Sequence, residues 1–250
     1  MVAVGLPFAA GASPPPVCTQ VIGFSQTSEW YETAGIFEFG VDDAHWQLLW
    51  NTGGGVDRWQ DPNYVGWSNA LISPCAQGSA APDRVLLTIS GPFEADERAW
   101  ADAIQATLDQ IAIKLPSAQE ILLQPVVGGP QEQDCFFQGN LVRASWQHHH
   151  IDNAIATLVG GNIVAGASPE VQSCGEYEDA LGHLTHDGAV AAGANLAAYY
   201  VELDASMLPT LGLTGLLTLA GTLSTAGAAL TRRGRRAPRV DDCPARAPTE

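Results

Sequence analysis

The chain has 250 residues, of which 46% are hydrophobic, and this is enough for one domain, or two small ones, with a full hydrophobic core. Its formal net charge is −16, and six of its 11 basic residues lie in the last twenty positions. A body so rich in carboxylates repels phosphate backbones, which argues against nucleic acid as a partner.

The N-terminal segment 1–16 contains a short apolar stretch and a small-residue "AGA", but no basic residue before them. It is typical of a weak or truncated signal peptide.

The body of the chain contains four cysteines, Cys18, Cys75, Cys135 and Cys174. An even number of cysteines in an exported chain indicates two disulfides, and neighbourhood in sequence favours Cys18–Cys75 and Cys135–Cys174 among three pairings. The alternative is four free, buried thiols.

Apolar runs of strand length occur five times, at 17–24, 46–50, 84–90, 120–127 and 162–166. They are continuous rather than alternating, which is typical of strands buried on both faces of a parallel sheet. Helical patterns cover 94–115, where Pro116 ends the pattern, and 186–203. Strands that alternate with helices predict a three-layer α/β/α domain, flavodoxin-like, with a mostly parallel sheet of about five strands.

The segment 208–230 carries no charge and is followed by "RRGRR". At about 1.5 Å of rise per residue it is long enough to cross a bilayer core of about 30 Å. The alternative is a buried C-terminal helix of the domain. The order of apolar helix and arginine cluster resembles the C-terminal sorting tails of the PEP-CTERM and IPTL-CTERM kind, although here the chain continues past the arginines.

That resemblance implies a membrane contact through the C-terminal helix, with a sorting or processing protease as a further partner. Positive-inside logic leaves the arginines in the cytoplasm and the body exported, in the periplasm or at the cell surface. We therefore divide the chain into a leader (1–16), a domain (17–206), a transmembrane or sorting tail (207–236) and a disordered end (237–250).

Unusual residues collect where the predicted strands end. Ser25 follows the first strand, the glycines 53–55 follow the second, and Gly91 follows the third. The last strand leads to Asp179 and His183. A serine, backbone amides at glycines, and a histidine with a carboxylate are the parts of an acyl-transfer site, because they supply a nucleophile, oxyanion donors and an oriented base.

These segments resemble the SGNH, or GDSL-like, hydrolase family over about residues 17–203. The segments that match its four blocks are "IGFSQT", the glycines 53–55, "PDRVLLTISG" and "DALGHL". The resemblance implies that Ser25 attacks an acyl carbonyl, that His183 takes its proton and that Asp179 orients His183, with no cofactor. The residues that it implies for the oxyanion site are Ser25, Gly54, Gly55 and Gly91.

Three departures from the family pattern are visible. Phe24 stands where the family has an aspartate, and Gly91 is not followed two positions later by the asparagine that donates to the oxyanion. Asp179 precedes His183 by four residues rather than three. Consequently the acid that orients the histidine is Asp179, Glu178 or none, and one oxyanion donor is missing or comes from elsewhere.

Aromatic residues are concentrated between 30 and 67, where five of the seven tryptophans lie. Trp30, Trp59 and Trp67 fall in predicted loops at the same sheet edge as Ser25, where aromatic faces suit sugar rings or acyl chains. Core packing is an equally good interpretation of each of them.

The run "WQHHHID" at 146–152 predicts a solvated helix start rather than a metal site, because adjacent histidines on a helix diverge by about 100 degrees.

The sequence therefore predicts an exported serine esterase that hydrolyses an acyl ester, for example an acylated polysaccharide. One alternative is an inactive protein of the same fold that binds glycan through a tryptophan-lined cleft. A second is a purely structural surface protein.

Overall fold

The computed structural model describes residues 16–33, 35–77 and 81–207. Its strands are Thr19–Gly23 (β1), Trp46–Trp50 (β2), Arg84–Ile89 (β3), Glu120–Pro125 (β4), Phe136–Phe137 (β5), Asn140–Leu141 (β6) and Ile163–Ala165 (β7). Its α-helices are Ser25–Ser28 (α1), Val56–Trp59 (α2), Glu97–Lys114 (α3), Arg143–Leu158 (α4) and His186–Met207 (α5). Short π or 3-10 turns lie between them, among them Glu29–Thr33 and Ile36–Phe39.

The five longer runs predicted from the sequence form one parallel sheet in the order β2-β1-β3-β4-β7. All residues of β1 and β3 are buried, as expected for strands covered on both faces. The chain passes from β1 to β2 on one side and then returns to β3 on the other. In such open sheets the crevice beyond the carboxyl ends at this switch point is where ligands bind.

Two groups of helices flank the sheet. α3 packs against α2 and α4, whereas α5 packs against the turns Glu29–Thr33 and Ile36–Phe39. The buried residues of α3 recur every three or four positions, and its start is capped by Asp96, which accepts the N–H of Ala99 at 3.0 Å. The predicted three-layer α/β/α class is confirmed.

One buried ion-pair cluster ties this frame together. The fully buried guanidinium of Arg84 in β3 contacts Glu120 of β4 at 2.7 Å and Asp204 of α5 at 2.6 Å. A buried charge is tolerated only when it is paired in this way.

Both predicted disulfides are present. Cys18–Cys75 joins the residue before β1 to the segment after β2, and Cys135–Cys174 joins the residue before β5 to the loop before α5. The second bridge therefore closes the segment that leads to Asp179 and His183.

The predicted leader and the predicted C-terminal segment 208–230, with the tail after it, lie outside the described residues apart from Pro16. Within the described part of the chain, no helix is long and apolar enough to cross a membrane.

Candidate active site

The turn from β1 into α1 sets the position of Ser25. A Cβ on Gly23, the last residue of β1, would overlap the hydroxyls of Thr27 and Thr88. Those hydroxyls are 2.6 Å apart, and Thr27 Oγ1 also accepts the N–H of Phe24 at 3.2 Å. This tight turn places Ser25 half-buried, at the switch point of the sheet.

Ser25, His183 and Asp179 form a continuous hydrogen-bonded chain, although Ser25 and His183 are 158 residues apart in the sequence. Ser25 Oγ lies 2.7 Å from His183 Nε2, and His183 Nδ1 lies 2.6 Å from Asp179 Oδ2. An ionised carboxylate only accepts, so Nδ1 carries the proton and Nε2 accepts from the serine hydroxyl. In this tautomer His183 is oriented to take the proton of Ser25.

The carboxylate of Asp179 also shapes its own loop. Its Oδ1 accepts the backbone N–H groups of Leu181, Gly182 and His183 at 2.8, 2.9 and 3.1 Å. Partial burial raises the pKa of Asp179, but the hydrogen bonds from the His183 ring and from the backbone outweigh it, and the pKa lies below its ordinary value. Asp179 is therefore ionised at neutral pH, which is the state that a histidine-orienting acid needs.

Gly182 lets this loop approach α4. Its φ is +100°, and a Cβ there would overlap Ala144 of α4. The buried side chain of Gln26, next to Ser25, donates to Gly182 O at 2.7 Å and accepts from the N–H of Val127 at 2.7 Å. One side chain thus links the Ser25 turn, the His183 loop and the end of β4.

Glu29 supports the other side of His183. Its Oε2 accepts the N–H of Leu184 at 2.8 Å. Burial raises the pKa of Glu29, and the backbone bond and the nearby His183 counter this only in part. Glu29 is therefore a second acid near His183, but it makes no hydrogen bond to the imidazole ring. The carboxylate that is hydrogen-bonded to the ring is Asp179.

An open pocket of about 390 Å³ surrounds the Ser25–His183 pair. Its polar lining includes Asp57, Arg58, Arg143 and Gln147. Thr52, Gly53, Gly55, Ser90 and Gly91 line it from the ends of β2 and β3. The serine hydroxyl therefore faces space that a substrate can enter.

The glycines predicted for the oxyanion site have different positions. Gly55 and Gly91 line the pocket, but Gly54 does not, and its N–H donates to Asn51 O at 2.9 Å. The N–H of Gly55 donates to Gly53 O at 2.9 Å. The structure thus does not support the prediction for Gly54, and Gly55 would have to release a bond inside its own turn before it could donate to a ligand.

Two side chains of α4 occupy the neighbourhood of Gly91. Gln147 Nε2 and Arg143 Nη2 both donate to Gly91 O at 3.0 Å. Both side chains also line the pocket, so they reach it beside the end of β3.

The three tryptophans predicted to bind substrate do not line the pocket. Trp30 and Trp59 are 1% and 0% exposed, so they belong to the core. Trp67 packs edge-on against Trp59, with Lys114 over its ring at 5.4 Å. The physical reason is that these large rings fill the space beside the sheet, where burial of their area outweighs exposure at its edge.

The histidine run also differs from its prediction. α4 begins three residues before Trp146, and His148 is 2% exposed rather than solvated. His148 Nε2 lies 3.1 Å from Ser168 Oγ, which donates to Asp152 at 2.5 Å. Asp152 Oδ2 also lies 3.9 Å from His148 Nδ1, but Nδ1 has no hydrogen-bond partner among the described residues, so the carboxylate does not orient this imidazole as Asp179 orients His183.

Among the described residues, no group of three or more histidines, cysteines and carboxylates is placed to hold a metal ion.

Sequence reasoning missed Gln26, Arg58, Arg143 and Gln147. Gln26 and Gln147 lie within the segments "IGFSQT" and "WQHHHID", but no role was predicted for them there, and only the fold brings these four residues to the pocket or to its supports.

The fold and the site define an α/β protein with a hydrogen-bonded serine, histidine and aspartate at the switch point of a parallel sheet. No protein family model matches the chain, and no curated protein matches it. Among solved structures, the chain is similar to a carbohydrate esterase of family 3 from Talaromyces cellulolyticus, with 8% sequence identity and a TM-score of 0.49. The match covers 76% of this chain and 99% of that chain. Similarity at this level carries no argument about activity, which has to come from the geometry.

Proposed function

We propose that the protein is a serine esterase that hydrolyses an acyl ester, with O-acylated carbohydrate as the substrate class. Ser25 is the nucleophile, His183 the general base and Asp179 the residue that orients His183. The observation that carries this proposal is the unbroken chain from Ser25 Oγ to Asp179 Oδ2, with distances of 2.7 and 2.6 Å, at the wall of an open pocket.

The reaction follows from the direction of those hydrogen bonds. Ser25 Oγ attacks the ester carbonyl while its proton passes to His183 Nε2, and the imidazolium gives that proton to the departing alkoxide. The acyl group is then bound to Ser25. A water molecule, deprotonated by the same Nε2, attacks this acyl-enzyme, and the proton returns to Ser25 as the carboxylic acid leaves. Asp179 stays ionised throughout and stabilises the imidazolium.

The oxyanion of each tetrahedral intermediate needs donors at the same wall of the pocket. The Ser25 N–H has no acceptor among the described residues, so it is free to donate. The amide of Gln147 has two N–H bonds, of which Gly91 O takes one. We assign the second donor to Gln147, in place of the absent asparagine.

The two disulfides support a proposal for the place of action. Two bridges are typical of proteins that fold in an oxidising compartment. We therefore place the domain in the periplasm or at the cell surface, with the segment 208–230 as its anchor or as the site of processing by a sorting protease.

The rival proposal is an inactive protein that binds glycan through a tryptophan-lined cleft; Phe24 and the absent asparagine favour it, but the position of the tryptophans does not. None of Trp30, Trp59 and Trp67 lines the pocket that contains Ser25. A purely structural surface protein has no use for a hydrogen-bonded base beside an accessible hydroxyl.

The test is turnover of p-nitrophenyl acetate by the full chain, by Ser25→Ala and by Ser168→Ala. Ser168 is a matched control, because it also contacts a histidine and an aspartate but lies outside the pocket. We expect kcat to fall by about 10⁴-fold or more in Ser25→Ala and to persist in Ser168→Ala. Equal turnover by wild type and Ser25→Ala would refute the assignment of the nucleophile.

A further inference from the structure

The basic residues of the described chain are few, and they are unevenly used. There are five, against 24 acidic residues. Arg84 is buried in its ion pairs with Glu120 and Asp204. Of the remaining four, Arg58 and Arg143 both line the pocket that contains Ser25.

The fold fixes the origin of each of these two side chains. Arg58 lies in α2, whose first residue, Val56, donates its N–H to Ser90 O at 2.8 Å. Arg143 is the first residue of α4, and its N–H donates to Ala180 O at 2.9 Å, within the loop between Asp179 and His183. The two guanidiniums therefore come from elements that also build the catalytic wall.

Neither guanidinium is neutralised by an ion pair. Within the described residues, no carboxylate oxygen lies within 4.0 Å of Arg58 or Arg143. Asp57 lines the same pocket, and although burial raises the pKa of Asp57, both arginines act to lower it. Two positive groups thus share one carboxylate, which leaves an excess positive charge in the pocket.

Most N–H donors of Arg58 and Arg143 also have no acceptor among the described residues. The only hydrogen bond from the Arg143 side chain among the described residues is the one to Gly91 O, and the Arg58 side chain makes none there. A guanidinium has five N–H donors in a fork that fits a carboxylate. The acidic body does not cancel this attraction, since a Debye length of about 8 Å screens distant charges at physiological ionic strength.

We propose that Arg58 and Arg143 make the pocket selective for esters that carry a carboxylate, located either on the acyl group or on the alcohol, as in an O-acylated acidic sugar. This inference rests on the proposed esterase function and specifies its substrate class. The carboxylate of the substrate lies between the two guanidiniums while the ester carbonyl lies at Ser25.

The experiment compares kcat/KM for matched charged and neutral esters. In the acyl arm, mono-p-nitrophenyl adipate is compared with its methyl-capped diester. In the alcohol arm, O-acetylated glucuronic acid is compared with its methyl ester. The proteins are wild type, Arg58→Gln, Arg143→Gln, Arg58→Lys and Arg98→Gln. Arg98 on α3 is the matched control, because its side chain is 91% exposed and outside the pocket, and its replacement removes the same charge.

We expect wild type to prefer the charged ester in one arm, and we expect Arg58→Gln and Arg143→Gln each to reduce that preference by about ten- to a hundredfold, the range for hydrogen bonds to charged groups. Arg58→Lys should retain part of the preference, and Arg98→Gln should keep all of it. The arm that shows the preference identifies the end of the substrate that carries the charge.

If wild type hydrolyses the neutral esters, but its kcat/KM for the charged ester is no greater than that for the neutral ester in both arms, this inference is overturned and the esterase function stays intact. The same holds for a preference that Arg58→Gln and Arg143→Gln do not change. If wild type hydrolyses neither charged nor neutral esters, the proposed function is overturned, and with it this inference.

Discussion

Replacement of Asp179 by asparagine separates the two tasks of this carboxylate. In the structure Asp179 accepts four hydrogen bonds, three from the backbone of its loop and one from the His183 ring. The amide oxygen of asparagine can still accept from Leu181, Gly182 and His183, so the loop keeps its shape. The amide nitrogen then faces His183 Nδ1 and turns that atom into an acceptor.

The consequence is a change of tautomer. With its proton moved to Nε2, His183 would direct an N–H at Ser25 Oγ across the present 2.7 Å contact and could not take the serine proton. We expect kcat to fall by about 10⁴-fold, or about 5.5 kcal/mol in the barrier, while the loss of folding stability is limited to what the ionised carboxylate contributes at neutral pH. Asp179→Ala should lose comparable activity and also about 1–3 kcal/mol of stability, because the backbone N–H groups lose their acceptor.

The assay is steady-state turnover of p-nitrophenyl acetate together with urea unfolding of each variant. Glu178→Gln is the control, since Glu178 is the other acid that the sequence offers as a partner of His183. Turnover by Asp179→Asn within about tenfold of wild type, or a large loss in Glu178→Gln, would refute the assignment of the orienting acid.

Three further predictions concern the supports of the site. Gly182→Ala should lower both Tm and turnover, because it strains a residue at φ +100° and its Cβ overlaps Ala144. The control is Gly139→Ala, also at positive φ but with open space around it, which should lower Tm less and leave turnover intact. Equal effects of the two variants on turnover would contradict this reasoning. Gln26→Leu should cost about 1–3 kcal/mol in urea unfolding, because Val127 N–H and Gly182 O lose their partner; an unchanged unfolding midpoint would count against the link. The pKa of Asp179 in the folded protein lies below its ordinary value of 3.8, so this group stabilises the fold above about pH 4, and that stabilisation is lost as the pH falls through the folded value. When unfolding is measured at decreasing pH, the free energy of unfolding should therefore fall less in Asp179→Asn than in wild type. Identical pH profiles would show that the pKa shift is absent.

The parallel sheet was predictable because its strands are covered on both faces and so appear as continuous apolar runs. The segments 46–50 and 84–90 match β2 and β3 to within a residue. The disulfide pairs were predictable from neighbourhood, since each joins segments that the sheet brings to one region. Ser25, Asp179 and His183 were singled out because each follows a strand end in a characteristic order, and the structure brings the three within hydrogen-bonding distance.

Features that depend on tertiary burial were not predictable in the same way. A tryptophan in a loop has no local signal that tells core packing from exposure, and Trp30 and Trp59 are both buried. A glycine-rich turn looks like a source of free amides, but the N–H groups of Gly54 and Gly55 are used within that turn. Arg58 lies on α2 and Arg143 and Gln147 lie on α4, far along the chain, and only packing brings the two helices to the pocket that contains Ser25.

The most direct test of the central claim is covalent labelling of the full chain with a fluorophosphonate, which reacts with activated serines, followed by peptide mass spectrometry. We expect a single adduct on Ser25 in wild type, its loss in His183→Ala, and its persistence in Ser168→Ala, since Ser168 lacks an oriented base. Folded protein that stays unlabelled at Ser25, or labelling that is unchanged in His183→Ala, would contradict the claim that Ser25 is an activated nucleophile.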